Sequence, residues 1–188
     1  MGMPLSQTEW TADMLDALPD DGQRYEVIDG ELFVTPAPAN VHQRAIAELY
    51  LLLAPYAKRV GIEALFAPAA IRWSQRREVQ PDLFATPLMP DGRPPERFTD
   101  VGVLLLAVEV LSPSTRRTDR HNKRALYQEE GVPDYWIVDT DSRSVELWRP
   151  GATVSHVSTT TLEWQPVSTH EPLVINVAEY FRCVCGRP

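Results

Sequence analysis

An aspartate behind a proline, a glutamate inside an apolar run and a lysine in the segment that follows are the residues whose types and order could do chemistry. Asp82 stands in Pro81-Asp82-Leu83-Phe84, and Glu109 near the end of Val101–Leu111, VGVLLLAVEVL. Lys123 follows, with Asp119 one helical turn before it and Tyr127 one turn after. A carboxylate flanked by Val108 and Val110 is costly to ionise unless a cation or several donors meet it. Hard divalent cations want oxygen ligands, and Mg2+ often takes one or two protein carboxylates together with water and substrate phosphate. A nearby lysine can orient the attacking water or stabilise charge on the phosphate. Together these residues point to metal-assisted hydrolysis of a phosphodiester. Plainer readings fit the same residues. Glu109 could face water or pair with Arg116, Arg117 or Arg120; Asp82 could be a turn residue; Asp119 and Lys123 could form an ordinary i,i+4 pair worth about 0.3–0.5 kcal/mol.

The elements that must position these residues can be read from periodicity. Val101–Leu111 is long enough for a strand buried on both faces, and the loop Ser112-Pro113-Ser114-Thr115 can cap a helix from about Arg116 to Glu129, closed by Gly131. Residues Thr8–Leu18 predict a short first helix. Tyr25–Ile28 and Glu31–Val34 flank Asp29-Gly30, a strong hairpin signal. Asn40 is the expected cap of a helix to about Arg59 that buries Ile46, Leu49, Tyr50 and Leu53, with Pro55 shortening or kinking it. His42 lies in its first turn, a position more often filled by a surface or capping residue. Ala64–Phe66 and Ala70–Trp73 read as strands, Ser74–Gln80 as a polar connection, and Pro81–Thr86 as an edge or strand-start segment. Met89–Thr99 reads as a mobile loop. Asp134–Asp139 and Ser144–Trp148 are further strands. Val154–Val157, Leu162–Trp164 and Leu173–Ile175 are weaker ones, and Val177–Phe181 is a last helical turn. This order predicts a mixed α/β (α+β) domain with a central sheet flanked by helices.

Composition bounds the rest. The chain has 188 residues, 44% hydrophobic and 23% charged, which fits one domain over 1–188 with its core at about 24–150. No apolar run reaches the ~20 residues of a membrane span. The opening MGMPLSQTEW has neither the basic nor the apolar region of a signal peptide, and Cys183 and Cys185 are poorly spaced for a mutual disulfide, so a reducing cytoplasm is expected. The net charge of -8 argues against a protein that coats nucleic acid, but a metal site needs carboxylates. Arg116, Arg117, Arg120, Lys123 and Arg124 form a local basic patch that could hold phosphates, or simply a solvated helix face. Neither a dinucleotide fingerprint nor a P-loop is present.

The string VQPDLFAT, then LLLAVEVLSPSTRRTDRHNKRALYQEEGVPDYWIVD, resembles the Uma-type (Uma-two) family of restriction endonucleases, within the PD-(D/E)XK nuclease superfamily. YEVIDGELFVTPAP followed by His42 and a long helix is similar to the family's opening, and the resemblance spans roughly Tyr25 to Trp148. It implies a restriction-endonuclease-like fold, Mg2+ or Mn2+ as cofactor, and nucleic acid as substrate, DNA being the first expectation although no residue separates DNA from RNA. Asp82 matches the acid of the "PD" motif and Glu109 that of the "(D/E)XK" motif. The third position departs: Leu111 stands where the lysine usually does, and Lys123 is the matching candidate. Glu31 and His42 are second-tier candidates for the same site. A homodimer is expected where both strands of a duplex are cut. The competing expectations are a nuclease-fold interaction protein without activity, motivated by Leu111 together with the acidic balance, and a hydrolase of another phosphate-containing small molecule.

Overall fold

The computed structural model describes residues 9–98 and 101–186. The start of the expected first helix, Thr8, and the end of the expected loop, Thr99, lie outside them. Among the described residues twelve strands and five α-helices alternate. The hairpin forms as expected: β1 (Arg24–Ile28) pairs antiparallel with β2 (Glu31–Thr35). Asp29 at φ 52° and Gly30 at φ 86° make the left-handed turn that Asp-Gly favours. The short α1 (Ala12–Leu15) is tied to it through Trp10, whose N–H donates to the Gly30 carbonyl.

The long helix α2 (Asn40–Val60) buries Ala45, Ile46, Leu49, Leu53, Tyr56, Ala57 and Val60 on one face. Its cap position is Ala39, not Asn40, and no side chain caps it. Pro55 does not end it, because the exposed face lets the lost N–H bond fall toward water. Gly61, at φ 76°, closes it.

A six-stranded sheet in the order β10-β9-β8-β7-β6-β3 is the centre of the molecule. Its members are β3 (Ile62–Phe66), β6 (Leu83–Pro87), β7 (Leu106–Val110), β8 (Tyr135–Asp139), β9 (Ser144–Trp148) and β10 (His156–Ser158). Only β7 and β8 run parallel. β6 is an interior strand between β3 and β7, not an edge. Pro81 costs nothing there because pairing begins two residues later, at Leu83. The apolar run before Glu109 is strand only from Leu106; Val101 and Leu104 are buried in irregular chain, a difference that hydrophobicity alone does not encode. The polar connection contains β5 (Arg77–Val79), which pairs with β4 (Ile71–Ser74) and with β1, building a second sheet in the order β2-β1-β5-β4.

Strand alternation divides the core. Leu83, Ala85, Leu106, Val108, Val110, Trp136 and Val138 face α2. They also meet β11 (Thr161–Trp164), β12 (Leu173–Asn176) and α5 (Val177–Cys185), so the core extends past residue 150 through Trp164, Ile175 and Phe181. Phe84, Ala107, Tyr135 and Ile137 face the second sheet and the helix after β7. That helix is interrupted: α3 (Arg116–Thr118), a π-turn (Asp119–Lys123) and α4 (Arg124–Glu129). Ser112 and Thr115 start it with reciprocal bonds: the Thr115 N–H donates to Ser112 Oγ at 3.2 Å, and the Ser112 N–H to Thr115 Oγ1 at 3.3 Å.

Candidate active site

Strand register brings the two acids together. Leu83 pairs with Val108 and Phe84 with Ala107, so one step on, Asp82 lies opposite Glu109. Opposed residues have Cβ atoms about 4.5–5.5 Å apart. The two-residue period puts both side chains on the face of Phe84 and Ala107, toward the π-turn. Each is 2% exposed.

Both Asp82 oxygens have partners, and Oδ1, with a single donor, keeps a lone pair free. Its Oδ1 accepts from Arg24 Nη1 at 2.8 Å; its Oδ2 accepts from the Val110 N–H at 2.8 Å and lies 3.0 Å from His42 Nε2. Burial pushes this carboxyl up, but the His42 hydrogen bond and the Arg24 charge outweigh it and hold the group well below the usual carboxylate range. His42, expected as a surface or capping residue, is therefore buried against Asp82, while its Nδ1 has no hydrogen bond.

Glu109 accepts at Oε1 from Lys123 Nζ and from the Tyr127 hydroxyl, both at 2.9 Å. Lys123 Nζ also lies 2.8 Å from Glu26 Oε1, and only 4.0 Å from Asp119 Oδ1. The ordinary i,i+4 pair is thus the weakest of its contacts. Burial would push the Lys123 ammonium down, but Glu109 and then Glu26 hold it above its ordinary range. Burial drives Glu109 well up, Lys123 opposing and Asp82 reinforcing. Gln80 joins the two halves of the cluster: its N–H donates to Glu26 Oε1 at 2.7 Å and its carbonyl accepts from Arg24 at 2.8 Å.

The π-turn sorts the helix. Asp119, Lys123 and Tyr127 turn inward and are buried. Arg116 faces β8 and β9, bonding Asp139 Oδ2 at 3.1 Å and Asp141 Oδ2 at 2.9 Å, and Arg120 pairs with Asp139 and Glu146. The Arg124 guanidinium lies over Trp148 at 4.7 Å from the ring centre. The expected phosphate-holding patch is therefore mostly committed to carboxylates and an aromatic ring, because the extra residue of the π-turn points these side chains away from Glu109. Arg117 alone of the four is exposed. Glu31 lies at the outer end of the hairpin, beside Glu9, Trp10 and Arg76, and does not join Asp82.

Asp82, Glu109, Lys123, Arg24 and His42 open on a cleft of ≈ 170 Å³ walled by Thr35–Ala39 and Ser112–Thr115. Glu26, Asp82, Glu109 and Asp119 are each 2% exposed or less, and Arg24 and Lys123 are the fixed cations among them. Ionising all four acids against these two cations would leave two negative charges, in keeping with the upward push on Glu109 and Asp119. A divalent cation at Asp82 and Glu109 matches both that surplus and the preference of Mg2+ for few protein ligands. Among the described residues no group of three or more His, Cys, Asp or Glu side chains could hold an ion by itself. The residues fit an open site completed by water and substrate, not a closed cage.

Arg24 and Glu26 escaped the sequence reading. Their one signal was two charges at i and i+2 in a strand otherwise apolar, which places both on one face.

A family model described as "Uma2: Putative restriction endonuclease" matches residues 12–178. No curated protein matches the chain. The fold is similar to a crystal structure described as "a putative nuclease belonging to DUF820 from Anabaena variabilis". The TM-score is 0.75 and the identity 18%, over 93% of this chain and 98% of that one.

Proposed function

Because the chain belongs to the Uma2 family, whose model spans residues 12–178, we propose that it is a divalent-metal-dependent endonuclease. It hydrolyses phosphodiester bonds of nucleic acid, with DNA as the polymer and Mg2+ or Mn2+ as the ion. The observation that carries this reading is the pair of buried acids, Asp82 and Glu109, opposed on adjacent strands and opening with Arg24 and Lys123 on one cleft. Asp82 and Glu109 would hold the ion. Bound there, it would supply a Lewis acid for the phosphoryl oxygen and an acidified water.

Each neighbour then has a distinct task. Lys123 stays protonated between Glu109 and Glu26, so it cannot serve as general base; it orients Glu109 and offers positive charge to the phosphate at the cleft wall. The Tyr127 hydroxyl, its own ionisation suppressed by burial, remains a donor that fixes Glu109. Arg24, Val110 and His42 fix Asp82 from three directions. Leu111, whose presence motivated the inactive reading, is a buried core residue, and Lys123 reaches Glu109 from the helix instead. Two copies of the chain are needed only where both strands of a duplex are cut.

The test is a cleavage assay on single-stranded, linear and supercoiled DNA and on RNA, in Mg2+, Mn2+ and chelator. Asp82→Asn and Glu109→Gln should each lower metal-dependent cutting by 100-fold or more, on the order of 3 kcal/mol in the barrier. Cutting that survives both substitutions would refute the site. Metal binding without cutting of any polymer would return the inactive reading.

A further inference from the structure

The cleft does not end at Asp82. On the far side of the Arg24 and His42 contacts it continues into a second arm of ≈ 360 Å³, which shares Arg24, Thr35–Pro38, His42 and Asp82 with the first. That size falls within the roughly 300–1,000 Å³ of small-molecule sites. Ile46 and Pro68 give it apolar lining, Gln43 and Gln80 add neutral amides, and Asp20 adds one carboxylate at its rim. Its lining includes Phe66, the last residue of β3, which pairs with Leu83 and so lies on the α2 face while Asp82 points to the other, both meeting the arm at the end of the sheet. Phe66 is 48% exposed, so part of its ring is open to solvent where it lines the arm. It is nonetheless held in place: Tyr50 meets it edge-on, with ring centres 4.9 Å apart and planes at 76°. His42, Ile46 and Tyr50 recur every fourth residue along α2, so one stripe of the helix holds Asp82, lines the arm and braces the ring.

We infer that Phe66 is a stacking platform for an unpaired nucleobase beside the scissile phosphate, which makes the substrate single-stranded or locally unpaired nucleic acid. The inference rests on the endonuclease reading and names its substrate class. Charge argues for the same occupant. Duplex binding draws on Lys and Arg set against phosphates. Here Arg72 is taken by Asp13, Asp16 and Glu78, Arg77 by Asp29, Glu129 and Glu130, and Arg116 and Arg120 by the acids of β8 and β9. These four arginines are therefore not free for phosphates, which favours contacts that need few cations. A base stacked on an aromatic ring, with amides at its edge, is such a contact.

The experiment uses the full chain in chelator, where turnover is absent, and ten-nucleotide strands carrying 2-aminopurine at successive positions, as single-stranded DNA, single-stranded RNA and duplex DNA. Fluorescence quenching is expected at one position of a single strand. Phe66→Ala should abolish that quenching and weaken binding roughly 5- to 150-fold, the span of one base–aromatic stack, while Phe66→Trp restores both. The duplex should bind more weakly and ignore Phe66. Unchanged affinity or quenching in Phe66→Ala, duplex bound as tightly as single strand, or no binding of any strand overturns the inference. The DNA and RNA arms identify the sugar. Adding Mg2+ separates the two readings: Phe66-dependent stacking without cleavage supports the platform and refutes the endonuclease, whereas cleavage with kcat/KM unchanged in Phe66→Ala refutes the platform and leaves the endonuclease.

Discussion

The Asp119 carboxyl is 1% exposed, with neither oxygen in a hydrogen bond of ordinary geometry. Burial pushes it up to about 6, with Lys123 and the Thr115 hydroxyl giving partial relief. A carboxyl raised on folding binds its proton more tightly in the folded state. Stability is therefore highest while Asp119 is protonated and falls as pH rises from about 4 to about 6. Asp119→Asn should then match the parent at pH 4 and exceed it at pH 8 by up to about 3 kcal/mol in urea unfolding. Equal gains at both pH values would refute this origin. Lys123→Met leaves Glu26 and Glu109 buried without their cation and should cost about 3–5 kcal/mol. Adding Glu109→Gln should recover at least about 1 kcal/mol of that loss, a coupling read from a double-mutant cycle; strict additivity would show that the contact carries no energy. At this scale Asp82, Glu109 and Lys123 were legible because each breaks an expectation of its own stretch, a charge where apolar residues surround it. Arg24 and Glu26 were not, since charge in a hairpin strand is ordinary until a distant lysine arrives to bury it.

Local signals determine elements where they are complete. Asp29-Gly30 made its hairpin, and at Gly30 a side chain would meet both a φ of 86° and Glu9 Cγ at 2.9 Å. Glu9 is exposed and can move, so Gly30→Ala should cost about 1–2 kcal/mol, set by the backbone, in thermal unfolding. Pro55→Ala should act in the other direction. It restores an N–H bond on an exposed helix face and should stabilise by about 1–3 kcal/mol; a lower melting temperature would mean that the proline is compensated in the native packing. The π-turn could not be read from sequence. Nothing in Asp119–Lys123 distinguishes it from an α-turn, and only the fold shows Arg120 and Lys123 reaching acids on opposite sides of it. The second sheet was hidden for a similar reason: β5 is three residues long and polar, and only its pairing with β1 and β4 identifies it.

At the scale of the molecule, a cation that takes the place of the Glu109 proton should stabilise the fold. Mg2+ or Mn2+ at a hundred times its dissociation constant should stabilise the protein by about 2.7 kcal/mol, and the gain should vanish in Glu109→Gln. Strand binding should show a shallow salt dependence, a slope near −2 corresponding to about three phosphates neutralised on a single strand; a much steeper slope would reveal a basic surface. The central sheet and its flanking helices were legible as alternating strands and one long amphipathic helix. The order of the strands was not, since pairing partners lie far apart in the chain. The same distance sets a schedule. Arg24 and Glu26 leave the ribosome first, then His42, Asp82 and Glu109, and Lys123 last. A half-made chain holds Glu26 and Glu109 without the lysine that joins them, so this buried cluster closes only after residue 123 has emerged.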